Sequence, residues 1–72
     1  MNVKDLTRDQ LVSLKQAYMD ELADCGEFAE VMGVDYDEPS YSDLANADEL
    51  IPDSLIIEHW DGASFTEDDF IS

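Results

Sequence analysis

Apolar side chains follow a helical period most clearly in the first third of the chain. They recur every three or four residues, at Leu11, Leu14, Tyr18 and Leu22. Thr7 precedes this run, and Gln10 stands three residues later, which is the spacing of a capping box in which each side chain bonds the other's backbone N–H. We therefore predict a helix over residues 8–24, with Gly26 ending it in the left-handed conformation.

Shorter apolar groups follow, separated by helix-breaking residues. Residues 27–32 predict a second helical piece, which a glycine ends. The next segment predicts a loop, since Pro39 disfavours helical geometry in the residue before it. A serine, Ser40 or Ser42, can then cap a helical turn over residues 43–45.

The last third of the chain contains two more starting signals for helices. Pro52 suits the first turn of one helix. Thr66 can cap a terminal turn, with Phe65 and Phe70 placed as a hydrophobic staple. No segment alternates apolar and polar residues as a strand would. We therefore predict an all-α fold, a small single domain over residues 1–72 with three to four short helices and acidic loops.

Charge is distributed unevenly along the chain. The 72 residues include 19 acids and three bases, for a net charge of −16 at pH 7. The bases are Lys4, Arg8 and Lys15. All acids except Asp5 and Asp9 lie in residues 16–72, which contain no lysine or arginine. We expect intramolecular ion pairs to be nearly impossible over this part of the chain, and we expect the uncompensated charges to destabilise the compact state. A hydrophobic content of 44% still favours a folded domain over disorder.

The charges at the ends of the first predicted helix are the reverse of what the helix dipole favours. Arg8 lies at its start, and Asp20, Glu21 and Asp24 lie near its end. Each such placement costs about 0.3–1 kcal/mol, and Asp20 and Asp24 also repel each other at four-residue spacing. A pattern that breaks local rules marks a candidate functional feature, although a well-packed core can also tolerate penalties of this size.

The charge and the composition exclude several classes of function. A chain this acidic repels nucleic acid, anionic lipid and nucleotide phosphates. It contains no run of 18 apolar residues and no secretory signal pattern, so we expect no membrane span and a cytosolic, cytoplasmic protein that begins near Met1. One cysteine and one histidine are too few for an internal disulfide or a structural zinc site.

Calcium is the metal that the carboxylates would suit best. Residues 35–43 begin like an EF-hand loop, with oxygens at the first, third and ninth positions. Pro39 then takes a ligand position, Ser40 the glycine position, and Asn46 the position of the bidentate glutamate. We therefore expect no specific metal site.

No pair of residues indicates catalysis. Cys25 lies near a helix end among acids, which weakens a thiol nucleophile, and we expect it in the core. We interpret His59 as a helix residue in partial contact with the core rather than as a general base. Without a nucleophile–base pair or a cationic substrate clamp, we expect no enzyme and no cofactor.

The density of acids is similar to that of duplex DNA. A globule of this mass has a diameter of roughly 29 Å, and a duplex of that length carries about 17 charges, close to the net charge of −16. We therefore expect a basic nucleic-acid-binding protein as partner, with tyrosines adding cation–π contacts. For the tyrosines, we favour the alternative of an ordinary interhelical loop in which they cover the core; for the acids, we favour the interface. Residues 67–69 could instead simply start the terminal turn. The candidate partner-binding residues are Asp35, Tyr36, Asp37, Glu38, Tyr41, Asp43, Asp48, Glu49, Asp53, Glu67, Asp68 and Asp69.

Three stretches cover most of the chain and contain no catalytic signature: LTRDQLVSLKQAYMDEL, YSDLANADELIPDSLIIEHWDG and FTEDDF. In this pattern the sequence resembles short acidic proteins carried by bacterial mobile elements. By size and charge alone, the chain also resembles DNA-mimic inhibitors of host defence, the anti-restriction and anti-CRISPR proteins. That resemblance implies that the protein occupies the site where a nuclease effector would bind DNA.

Three functional hypotheses follow. The first is a DNA mimic that blocks the basic groove of a CRISPR effector or restriction enzyme. The second is an acidic adaptor or regulatory module of a mobile element, which binds a basic partner without mimicry and so need not be displaced by duplex DNA. The third is a domain adapted to high salt, which would need molar salt to fold.

Overall fold

The computed structural model describes residues 1–70, except for the side chain of Glu67. Over these residues the chain forms five α-helices and a short 3-10 helix near each end. The α-helices are α1 (Arg8–Cys25), α2 (Phe28–Met32), α3 (Tyr41–Ala45), α4 (Ala47–Leu50) and α5 (Asp53–His59), and the 3-10 helices are Val3–Asp5 and Glu67–Phe70. The predicted all-α class is confirmed, whereas the predicted count of three to four helices is wrong.

The ends of α1 follow from local side-chain chemistry. Thr7 Oγ1 accepts a hydrogen bond from the Gln10 backbone N–H (3.2 Å), and Gln10 Oε1 accepts one from the Thr7 N–H (3.0 Å). At the other end, Gly26 has a φ of 73°, a conformation that residues with a Cβ rarely adopt. The predicted capping box and glycine stop are confirmed, and α1 runs one residue beyond its predicted end.

The extra helix arises where one short helix leads directly into another. Ser40 and Asp43 form a reciprocal capping box that starts α3, with both hydrogen bonds at 3.1 Å. Asn46 ends α3 and begins α4, so only one residue separates the two. A single turn of four residues gives too little periodicity to be read from sequence, which is why α4 was missed.

The core forms where α1 packs against α2, α4 and α5. The buried face of α1 includes Tyr18, Met19 and Leu22. The other side chains of the core are Val3, Leu11, Leu14, Phe28, Ala47, Ile51, Ile56 and Phe65. Ile51, in the turn between α4 and α5, is fully buried within this core. The molecule measures 35 × 22 × 20 Å.

The two ends of the described chain lie side by side. Asn2 and Ser64 form an isolated antiparallel bridge, and the Phe65 N–H donates to the Met1 carbonyl at 2.8 Å. The rings of Phe65 and Phe70 lie 5.9 Å apart, which confirms the predicted staple of the terminal turn. None of the described helices combines the length and the apolar character needed to cross a membrane.

Candidate partner-binding surface

Lys15 lies at the centre of an ion-pair network that joins α1 to α4 and to the first residue of α5. Its Nζ is 2.7 Å from Asp53 Oδ1 and 2.9 Å from Asp48 Oδ1, and it also donates to the Asp48 carbonyl at 3.0 Å. The lysine side chain is fully buried. An ammonium group has three N–H donors, so these three oxygens satisfy it completely.

Arg8 completes the network from the first turn of α1. Its Nη1 donates to Asp48 Oδ1 (2.8 Å) and to Asp53 Oδ1 (2.9 Å), and its Nη2 donates to Asp53 Oδ2 (3.0 Å). The contact with Asp53 is therefore bidentate, the geometry that favours arginine over lysine. The expectation that ion pairs are nearly impossible beyond residue 15 is wrong for these two aspartates, because packing brings the bases of α1 against a distant part of the chain.

The network lowers the pKa of both carboxyl groups. Hydrogen bonds from Arg8 and then from Lys15 hold the pKa of Asp53 at about 2, against a usual value of 3.8. A hydrogen bond from Lys15 is the largest cause of the lowered pKa of Asp48. Both groups are ionised at neutral pH and paired within the protein, so the fold itself engages these two candidate partner-binding residues.

The depressed pKa of Asp53 predicts how acid affects stability. Its carboxylate stabilises the fold fully above pH 3.8, and this contribution is lost as the pH falls through about 2. Asparagine cannot ionise, so the difference in the free energy of unfolding between wild type and Asp53→Asn should shrink from pH 5 to pH 2. Urea denaturation over that pH series measures it. A difference that does not change with pH would contradict the assigned network.

The two tyrosines among the candidate residues have different environments. The Tyr36 hydroxyl donates to Asp43 Oδ2 at 2.7 Å, and its ring lies 5.9 Å from that of Phe28. This hydrogen bond raises the pKa of Tyr36 and is the largest cause of the lowered pKa of Asp43. Tyr36 and Asp43 therefore support the loop and the start of α3. Tyr41 is 95% exposed, so the expectation that it covers the core is wrong.

The remaining candidate residues lie on three separate elements. Exposed acids of the α2–α3 loop, of α4 and of the second 3-10 helix have no ion pair among the described residues: Asp35, Asp37, Glu38, Glu49 and Asp68. Asp69 instead accepts a hydrogen bond from the Thr66 backbone N–H at 2.8 Å. The side chain of Glu67 lies outside the described part of the structure. The largest group of exposed acids without an ion pair among the described residues is therefore that of the α2–α3 loop: Asp35, Asp37 and Glu38.

A depression of about 400 Å³ adjoins this loop and was not predicted. Three carboxylates line it, from Asp20, Asp24 and Glu38, together with the apolar side chains of Ala23, Pro39 and Leu44. Gln16 Nε2 donates to the Leu44 carbonyl at 2.9 Å and so ties α3 to α1 beside it. The sequence contains one indication of this depression. Two of the acids that line it, Asp20 and Asp24, are among those at the end of α1 that the helix dipole disfavours.

The cysteine and the histidine differ in how well their predictions hold. Cys25 is exposed, so its predicted core position is wrong; it is the last residue of α1, and the chain turns away at Gly26. The His59 ring lies 4.9 Å from that of Tyr18 and 4.5 Å from that of Trp60, which confirms partial contact with the core.

The described side chains of this surface provide exposed negative charge. Within residues 1–70, as far as their side chains are described, no three His, Cys, Asp or Glu residues converge to hold a metal ion. The arrangement can attract and pair with cationic groups of a partner. No family model matches this sequence, and no curated protein or solved structure is significantly similar to it. The resemblance to acidic proteins of mobile elements stays a prediction.

Proposed function

We propose that this protein is a non-enzymatic DNA mimic that binds the basic groove of a defence nuclease, a CRISPR effector or a restriction enzyme, and blocks access of DNA. One observation carries the proposal: a net charge of −16 on a folded body 35 Å long. A DNA duplex of that length carries about 20 phosphate charges. The protein therefore offers a basic groove nearly as many negative charges as the DNA that it would replace.

The fold supports this function by fixing the positions of the acids. Lysine and arginine pair with two of the acids among the described residues, Asp48 and Asp53. That pairing holds α4 and α5 against α1 and leaves the loop acids exposed. A surface that is already ordered loses little conformational entropy on binding. The favourable electrostatic free energy of binding is therefore offset only slightly by the cost of ordering the surface.

The proposed mechanism is occlusion. Lysines and arginines of the nuclease that normally contact phosphates would pair with carboxylates of the inhibitor instead. Affinity would fall as salt concentration rises, since exposed charges are screened beyond about 10 Å at 0.1 M salt. No bond is made or broken, and no cofactor takes part. A cytoplasmic location belongs to the same proposal, because the DNA that such nucleases cleave enters there.

Displacement of labelled duplex DNA tests the proposal. A panel of purified CRISPR effectors and restriction enzymes is loaded with fluorescent duplex without catalytic metal, and the protein is added at low salt. We expect it to displace the duplex from at least one enzyme, with excess unlabelled duplex reversing its binding and higher salt weakening it. Failure across the panel would contradict the proposal. Binding that persists at saturating duplex would favour the adaptor hypothesis instead.

A further inference from the structure

Tyr41 is the most exposed aromatic residue in the described part of the chain. It is 95% exposed, whereas Tyr36 is 44% exposed and packs on Phe28. Tyr18 and Phe65 are buried. A tyrosine ring presents a large apolar surface with a negative face, so leaving it in water forgoes the stabilisation that burial would give. The ring of Tyr41 contributes little to the stability of the fold and remains available to a partner.

The backbone that carries Tyr41 is held in place. Tyr41 is the first residue of α3, between the two members of the capping box, Ser40 and Asp43. The Asp43 carboxylate also accepts a hydrogen bond from the Tyr36 hydroxyl at 2.7 Å. Gln16 ties the far side of the same short helix to α1 through the Leu44 carbonyl. The exposed ring therefore projects from an ordered turn rather than from a mobile loop.

The charges beside this turn select the chemistry of the partner. Pro39 and Leu44, on either side of Tyr41 in the sequence, both line the depression that also contains Asp20, Asp24 and Glu38. Lysine or arginine pairs with none of these three acids among the described residues. The turn thus combines an exposed aromatic ring with residues that line an acidic depression, and this combination matches a cation. The planar guanidinium of arginine can stack on the ring while pairing with carboxylates, which the ammonium of lysine does less well.

We infer that an arginine of the basic partner stacks on Tyr41, which projects from the turn whose residues Pro39 and Leu44 line the depression at the end of α1. The inference rests on the proposed function and adds to it the kind of side chain that the partner must present. It also separates the two tyrosines: Tyr41 contacts the partner, and Tyr36 maintains the turn from which Tyr41 projects.

Peptides of equal length and charge test the inference without knowledge of the partner. Oligoarginine and oligolysine are titrated against wild type, Tyr41→Phe and Tyr41→Leu at one low salt concentration. Stacking at an exposed site predicts that wild type binds oligoarginine about two- to fivefold more tightly than the leucine variant does. It also predicts that wild type prefers oligoarginine over oligolysine more strongly than the leucine variant does. Tyr41→Phe keeps the ring and should match wild type. All three proteins should have the same melting temperature, because Tyr41 is almost fully exposed.

The outcomes separate this inference from the proposed function. An equal preference for oligoarginine in wild type and Tyr41→Leu would overturn the role of Tyr41, even if the protein displaces DNA from a nuclease. Loss of the preference in Tyr41→Phe would also overturn it, since the ring alone should suffice. A preference that depends on the ring supports the contact, and if no nuclease releases its DNA, it is the proposed function that fails.

Discussion

Replacement of Lys15 by methionine is expected to lower the free energy of unfolding by about 2–3 kcal/mol. Methionine keeps most of the apolar stem but removes three hydrogen bonds and the charge between Asp48 and Asp53. Removing one partner of a fully buried ion pair costs about 3–5 kcal/mol. The loss should be smaller here, because the two carboxylates are 44% and 41% exposed and can regain water. Urea denaturation monitored by circular dichroism measures the change.

Lys4 provides the matched control for this substitution. It is exposed, and it takes part in no ion pair among the described residues. Lys4→Met changes the net charge by the same amount, so it reproduces the added repulsion without touching the network. We expect it to change stability by less than about 0.5 kcal/mol. Equal losses in the two variants would show that total charge, and not the buried position of Lys15, determines stability.

The elements that sequence alone predicted are those with a local cause. A capping box needs two side chains three residues apart, so Thr7 and Gln10 fix the start of α1 without any tertiary contact. Gly26 likewise ends α1 through its own conformational freedom. α4 escaped prediction because one turn of helix has no periodicity of its own and depends on packing for its stability.

The ion-pair network could not be predicted in the same way. Its members are separated by 33 to 45 positions along the chain, and only the packing of α1 against α4 and α5 brings them together. One local signal did exist. Lys15 lies four residues after Leu11 and four before Met19, which places it on the apolar face of α1. A lysine on such a face needs a partner for its charge, and this indicates that an acidic side chain from elsewhere in the chain pairs with it.

The candidate surface was predicted in its charge but not in its arrangement. Composition alone requires most acids to be exposed, because three bases cannot pair with 19 acids. Sequence could not separate Tyr36 from Tyr41, since both stand in the same acidic segment. Their difference comes from contacts of Tyr36 with Phe28 and Asp43, which the path of the loop creates.

Reversing the three exposed acids of the α2–α3 loop is expected to weaken binding to the nuclease about 100-fold or more. The variant replaces Asp35, Asp37 and Glu38 with lysine and leaves Asp43 in place, because Asp43 caps α3. Like charges placed opposite each other in an interface cost several kcal/mol, and 2.8 kcal/mol corresponds to 100-fold. Displacement of fluorescent duplex from the enzyme measures the loss. The fold should persist, since the three replaced side chains are exposed and unpaired among the described residues.

A charge-matched triple variant separates contact at the loop from general attraction. Asp5, Glu58 and Asp61 are also exposed, and they lie on the first 3-10 helix and at the end of α5. Reversing them gives the same net charge as reversing the loop acids. Charges outside the proposed interface act only through long-range attraction, which 0.1 M salt screens, so the control should weaken binding at least tenfold less than the loop variant. Equal losses would mean that the nuclease responds to total charge, and the loop would then have no special part in the interface.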